Sequence, residues 1–223
     1  MHLLLFDIDG TLVNADRAGR IALMRALATE FGVEDPEIVV GFAGRTDRAI
    51  ASEALRTHGI EVDEERFTRF LEAYLTHLPG TLREREGHVL PGTTSLLATL
   101  AARDDVTLAL LTGNFERAAR IKLAHFGLDH FFIAAGGFGD HHHDRNDVAH
   151  AAERAVQEVA GEHATTWVIG DTPGDVRCAR AIGARAVAVA CGFSTREELE
   201  ACAPDYLLDD LGDAARFVAL LER

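Results

Sequence analysis

Lysine is almost absent from this chain. Lys122 is the only one, and every other member of its 22 basic residues is arginine. Richness in Ala, Arg and Gly points to GC-rich coding, which depletes lysine without any functional cause. Cysteine is scarce as well. Cys178, Cys191 and Cys202 have no C-x-x-C spacing, which argues against a disulfide framework or a structural zinc site and suits a reducing cytosol. No apolar run approaches the ~18 residues of a membrane span. The opening "MHLLLFDIDG" has no basic n-region and soon reaches Asp7, so a signal peptide is not expected. The expected location is cytoplasmic. A net charge of −14 disfavours a nucleic-acid backbone as partner. It also disfavours a phosphate ligand unless a metal cation and local donors offset the field. There is no internal repeat and no low-complexity linker.

What remains is a hydrophobic content of 48% in 223 residues, enough for one sizeable core or a core plus a small second domain. Short apolar runs recur at 3–8, 106–111, 131–135, 166–170 and 186–191, with a possible edge strand at 205–210. They are continuous rather than alternating, as strands buried on both faces should be. Helical patterns over 115–126, 146–160, 174–183, 195–202 and 211–222 follow most of them. The expected fold is α/β, a Rossmann-like parallel sheet with helices on both faces. Residues 16–85 break the rhythm. Their apolar spacing is helical, and Pro79-Gly80 and Pro91-Gly92 punctuate their exit. They read as an inserted α-helical cap domain, with 1–15 and 86–223 as the core. Ligands of open α/β sheets bind beyond the carboxyl ends of the strands, so such an insertion would cover the site.

Three strand ends carry polar groups. The first ends in "FDIDGT", with Asp7 and Asp9 two apart. The next ends in "LLTGN", where Thr112, Gly113 and Asn114 open a helix that favours an anion. "VIGDTPGD" supplies Asp171 and Asp175 around a Pro-Gly turn. Singly these would be a solvated loop, a helix cap and helix-start acids. Parallel strands bring them to one edge. Carboxylates gathered there repel one another unless a cation sits among them. Mg²⁺, a hard cation with oxygen ligands, is the natural occupant, and a phosphoryl group its natural partner.

"DIDGT", "LLTGN" and "IGDTPGD" in this order resemble the haloacid dehalogenase-like (HAD) superfamily, and the likeness is nearest to its phosphoglycolate-phosphatase-like members. The resemblance implies a phosphomonoester hydrolase with Mg²⁺ as cofactor. Asp7 would be the nucleophile that forms an aspartyl-phosphate, and Asp9 the general acid and base. Thr112 with Gly113 and Asn114 would hold the phosphoryl oxygens. Asp7, Asp9 (through its carbonyl) and Asp171 would hold the metal, with Asp175 in direct or water-mediated support. Asp9 itself separates the chain from true dehalogenases, which generally lack the second Asp of that motif. Two rival readings are a phosphosugar mutase and a catalytically idle phosphate-binding module. The implied partner is a small phosphorylated metabolite, with no nucleic acid and no membrane. Monomer and homodimer both stay open.

Such phosphatases also need a cation beside the nucleophile, usually a Lys before a Pro in the loop after the third strand. "GGFGDHHHDRNDV" has no Lys-Pro, and Arg145 stands in that loop as a helix begins. Lys122 is the rival. It shares a helix face with Phe115, Ala119 and Phe126, yet sits two turns in, roughly 11 Å along the axis. There it would either snorkel or approach the carboxylates. Arg145 is favoured on loop placement. In the insertion, "GFAGRTD" presents Arg45, Thr46 and Asp47 as an exposed turn before a helix; the resemblance implies that such a cap loop meets the leaving group, which makes Arg45 and Thr46 the candidates for substrate specificity. His141–His143 read as a polar loop tip.

Overall fold

The computed structural model describes residues 1–222. In chain order the elements are β1 (His2–Phe6), β2 (Val13–Asn14), α1 (Ala18–Phe31), α2 (Asp47–Thr57), α3 (Glu64–Glu84), β3 (His88–Val89) and α4 (Thr93–Ala101). They continue with β4 (Val106–Leu111), α5 (Glu116–His125), β5 (Gly136–Gly137), α6 (Arg145–Ala160), β6 (Thr165–Gly170) and α7 (Pro173–Ala181). The chain closes with β7 (Arg185–Val189), α8 (Arg196–Ala201), β8 (Tyr206–Leu208) and α9 (Ala214–Leu221). Six strands form one parallel sheet in the order β5-β4-β1-β6-β7-β8.

The continuous apolar runs are explained by the two faces of this sheet. Leu4, Phe6, Leu108, Leu110, Trp167 and Ile169 point to one side, where Leu96 and Leu100 of α4 and Phe217 of α9 meet them. Leu3, Leu5, Ala109, Leu111 and Val168 point to the other, against Val148 and Ala152 of α6 and Val176 of α7. With no solvated face there is no polar alternation to see. The third apolar cluster belongs mainly to α1, α2 and α3. It joins Leu23, Leu27, Ile50, Leu55, Phe67, Phe70 and Tyr74 to Phe115 beside α5.

Several expectations need correction. The run 131–135 is not a strand. A 3-10 turn closes over Asp129–Phe131, and only Gly136 and Gly137 then pair with β4. Pro79-Gly80 does not end the helical insertion, because α3 runs through it to Glu84. Its buried stripe, Phe70, Tyr74, Leu78 and Leu82, continues on both sides of the proline, and this packing outweighs one lost backbone hydrogen bond. Helix α4 and the antiparallel pair β2–β3 had no sequence signal. In that pair Val13 faces Val89 and Asn14 faces His88, which sets the two ends of the helical segment side by side. Arg85 closes them with a 2.8 Å ion pair to Asp16. Among the described residues, no helix is long and apolar enough to cross a membrane.

Candidate active site

Register decides what meets at the sheet edge. Phe6 of β1 lies level with Leu110 of β4 and with Ile169 of β6. The chain therefore leaves the three central strands at nearly one height, and the next residues are Asp7, Thr112 and Asp171. The Asp7 amide still donates to the Ile169 carbonyl at 2.9 Å. Gly10 then turns the chain at φ 85°, where a Cβ would lie 2.3 Å from the Asp171 carboxylate. Only glycine fits that turn.

One carboxylate oxygen from each of Asp7, Asp171 and Asp175 lies within 4.8 Å of the others, and all three residues are buried. Burial pushes the Asp7 carboxyl up to about 6 despite the opposing Arg145 charge. Asp171 is pushed up to about 8 by burial and then by the Asp175 and Asp7 charges. Its oxygens accept from the Thr11 hydroxyl at 3.1 Å and the Phe193 amide at 2.6 Å. Asp175 is occupied on both oxygens. Oδ2 accepts from the Thr172 amide at 3.0 Å and hydroxyl at 2.6 Å, and Oδ1 accepts from Arg145 at 2.6 Å. This buried, all-oxygen, anionic donor set fits a hard divalent cation, with Asp175, already paired with Arg145, as its brace.

The two candidate cations both reach the site, on different carboxylates. Arg145 opens α6 and is 7% exposed. Its Nη2 lies 2.6 Å from Asp175 and 3.4 Å from Asp7, while its Nε is buried without a partner. Lys122 is 5% exposed. Its Nζ donates to Asp9 Oδ2 and to Asn114 Oδ1, each at 2.6 Å. The lysine does not snorkel. The axial gap anticipated from sequence is no obstacle, because Lys122 meets the side chains of Asp9 and Asn114 rather than the strand end itself. Burial alone would lower the Lys122 ammonium; the charges of Asp9 and Asp47 outweigh it and leave it raised.

Asn114 binds the site together. Its Nδ2 donates to Asp9 Oδ2 and to Thr112 Oγ1, both at 2.8 Å. Gly113 lies between them, and a Cβ there would sit 2.0 Å from the Arg45 carbonyl. The "GFAGRTD" turn therefore rests directly on the loop after β4. For this reason Thr46 is fully buried, not exposed as expected, and it caps α2 by accepting from the Ala49 amide at 3.2 Å. Arg45 pairs with Glu53 at 2.6 Å. Asp47 is a residue whose contacts the sequence did not disclose. Its amide donates to the Gly113 carbonyl at 2.6 Å, and its carboxylate accepts from the Phe115 amide at 3.1 Å. Burial pushes that carboxyl up to about 6 against the Lys122 charge. His141 and His143 are exposed in the loop before α6, as a loop tip should be.

These groups open into a cavity of about 670 Å³. Asp7, Asp9, Thr112, Lys122 and Arg145 line it from the sheet side, and Arg17, Phe42, Arg45, Asp47 and Tyr74 line it from the helical segment.

This arrangement accords with what the chain is similar to. The family model described as haloacid dehalogenase-like hydrolase matches residues 4–180. The chain belongs to that family and is an enzyme of its hydrolase class. The phosphoglycolate phosphatase of Synechococcus elongatus is 28% identical over the full length of both proteins. The phosphoglycolate phosphatase of Chromobacterium violaceum is 30% identical over 88% of each. Among solved structures, a hydrolase from Pseudomonas syringae superposes with a TM-score of 0.71 at 21% identity, covering 99% of both chains. That likeness concerns the fold.

Proposed function

We propose that this HAD-type phosphatase is a Mg²⁺-dependent hydrolase of a small phosphorylated metabolite, phosphoglycolate-like or a sugar phosphate, acting through an aspartyl-phosphate. The observation that carries the reading is the meeting of Asp7, Asp171 and Asp175 within 4.8 Å, at the strand ends that also bear Asp9 and Thr112. Its relatives named phosphoglycolate phosphatase support the substrate class.

Asp7 would attack phosphorus in line with the leaving oxygen. As the phosphorus–oxygen bond breaks, Asp9 would give that oxygen its proton. Water would then attack the acyl phosphate at phosphorus while Asp9 takes up a proton, restoring the Asp7 carboxylate and releasing inorganic phosphate. The Thr112 hydroxyl accepts from Asn114 and so keeps its own hydrogen for a phosphoryl oxygen. The backbone amides of Gly113 and Asn114 would hold the others, and Arg145 would neutralise phosphoryl charge beside Asp7. Asp7 and Asp171, the Asp9 carbonyl and a supporting Asp175 would hold Mg²⁺, which offsets the repulsion between anionic nucleophile and anionic substrate.

Residues 16–85 act in this reading as a cap over a core of 1–15 and 86–223, and enclosure favours a small substrate. Arg45, at the cavity wall, is suited to a substrate carboxylate, while Thr46 fixes its loop. The enzyme works in the cytoplasm. The test is turnover of a phosphomonoester panel that includes phosphoglycolate, with Mg²⁺ and then with EDTA. Hydrolysis that EDTA abolishes is expected. Interconversion of glucose phosphates, or no turnover of any ester, would contradict the reading.

A further inference from the structure

Lys122 is the sole lysine of the chain and has no place in the chemistry above. Its ammonium is buried within the helical face of α5, a costly position without partners. The partners it has are specific. Lys122 Nζ and Asn114 Nδ2 both donate to Oδ2 of Asp9, at 2.6 and 2.8 Å. Lys122 also holds the other end of the Asn114 amide through Oδ1 at 2.6 Å. Three side chains thus form a closed ring of hydrogen bonds. Among the described residues, no protein donor reaches Oδ1 of Asp9. The Asp9 side chain keeps 26% of its surface exposed, and the residue lines the cavity.

A carboxyl group held by two donors on one oxygen cannot rotate about its terminal torsion without breaking both bonds. The geometry points to Lys122 as a positioning residue: with Asn114 it locks Asp9 by Oδ2, so that Oδ1 alone exchanges the proton with the leaving oxygen and with water. Lys122 therefore acts on Asp9 and not on the phosphoryl group, whose cation is Arg145. Asp47, whose charge also favours the ammonium, is fixed by the Phe115 amide. The inference rests on the phosphatase reading above, and it assigns the one proton-transfer atom that reading leaves open.

The test compares leaving groups in Lys122→Met, which keeps the length and removes the charge. An alkyl phosphate such as phosphoglycolate or glycerol phosphate expels a poor leaving group that needs the proton; p-nitrophenyl phosphate expels one that does not. In Lys122→Met, kcat/KM on the alkyl ester is expected to fall about 30- to 100-fold, while kcat/KM on p-nitrophenyl phosphate stays within about threefold. Inhibition by vanadate is expected to hold within about twofold, because the phosphoryl site is untouched. Equal loss on both esters would make Lys122 merely structural, and weakened vanadate binding would make it a phosphate ligand; either result overturns the proposal, as does unchanged turnover. Retained p-nitrophenyl phosphate activity certifies the fold of the variant. Failure of the wild-type enzyme to hydrolyse any ester would sink the phosphatase reading itself, a result distinct from all of these and fatal to this inference too.

Discussion

Arg145 and Lys122 are both buried cations, and their neighbours separate them. Arg145 stands between Asp7 and Asp175, so its removal takes the counter-charge from both the proposed nucleophile and the proposed metal support. On p-nitrophenyl phosphate, Arg145→Ala is expected to lower kcat by about 100-fold or more. Lys122→Ala should cost much less on the same ester, and the reverse ranking would hand the phosphoryl charge to the lysine. Arg145→Ala should also destabilise the fold by about 3 kcal/mol, because it leaves buried carboxylates unpaired; thermal melts of the metal-free protein read this directly. The gathering of Asp7, Asp9, Thr112, Asp171 and Asp175 was legible because each directly follows or lies just beyond a buried apolar run, and parallel strands share an edge. Arg145 was legible from its loop. The partners of Lys122 were not, since they depend on how far a side chain reaches, which periodicity along a helix does not encode. The contacts of Asp47 are hidden for a related reason: its carboxylate finds the Phe115 amide from 68 residues away.

Elements were readable where burial writes a long pattern and unreadable where it does not. The runs at 106–111 and 166–170 become β4 and β6 because both sheet faces are covered. β2, β3 and β5 are two residues each, too short for any period. Helix α4 begins straight after Pro91-Gly92, where turn punctuation hid its start. Helix α3 makes the opposite point. Pro79 reads as a terminator in isolation, yet it sits inside 21 helical residues because the stripe it interrupts stays buried. The Leu75 carbonyl is the acceptor a proline at 79 cannot serve. Pro79→Ala is therefore expected to stabilise the protein by about 1 kcal/mol or more, seen as a raised Tm. A lowered Tm would mean that the proline shapes a bend the packing needs.

The molecule as a whole carries a net charge of −14 and concentrates buried carboxylates at one sheet edge, so metal and pH should act on it together. Asp7 and Asp171 are pushed up to about 6 and about 8, chiefly by burial. Carboxyl groups raised in this way keep protons that the unfolded chain has already released. Without a cation, stability therefore declines as pH rises from about 4 towards 8. A divalent ion requires the ionised forms, and its binding releases those protons, so its affinity climbs over the same window. Saturating Mg²⁺ is expected to raise Tm more at pH 8 than at pH 6. Equal gains at the two pH values would mean that Asp7 and Asp171 do not ligate the ion.

The claim beneath the functional account is that Asp7 itself takes the phosphoryl group. Rapid acid quench of the enzyme turning over a ³²P-labelled ester with Mg²⁺, followed by peptide mapping, tests it most directly. A hydroxylamine-labile label is expected on the peptide bearing Asp7, and none in Asp7→Asn, which should be folded and inactive. Label on another residue, or full turnover by Asp7→Asn, would contradict it.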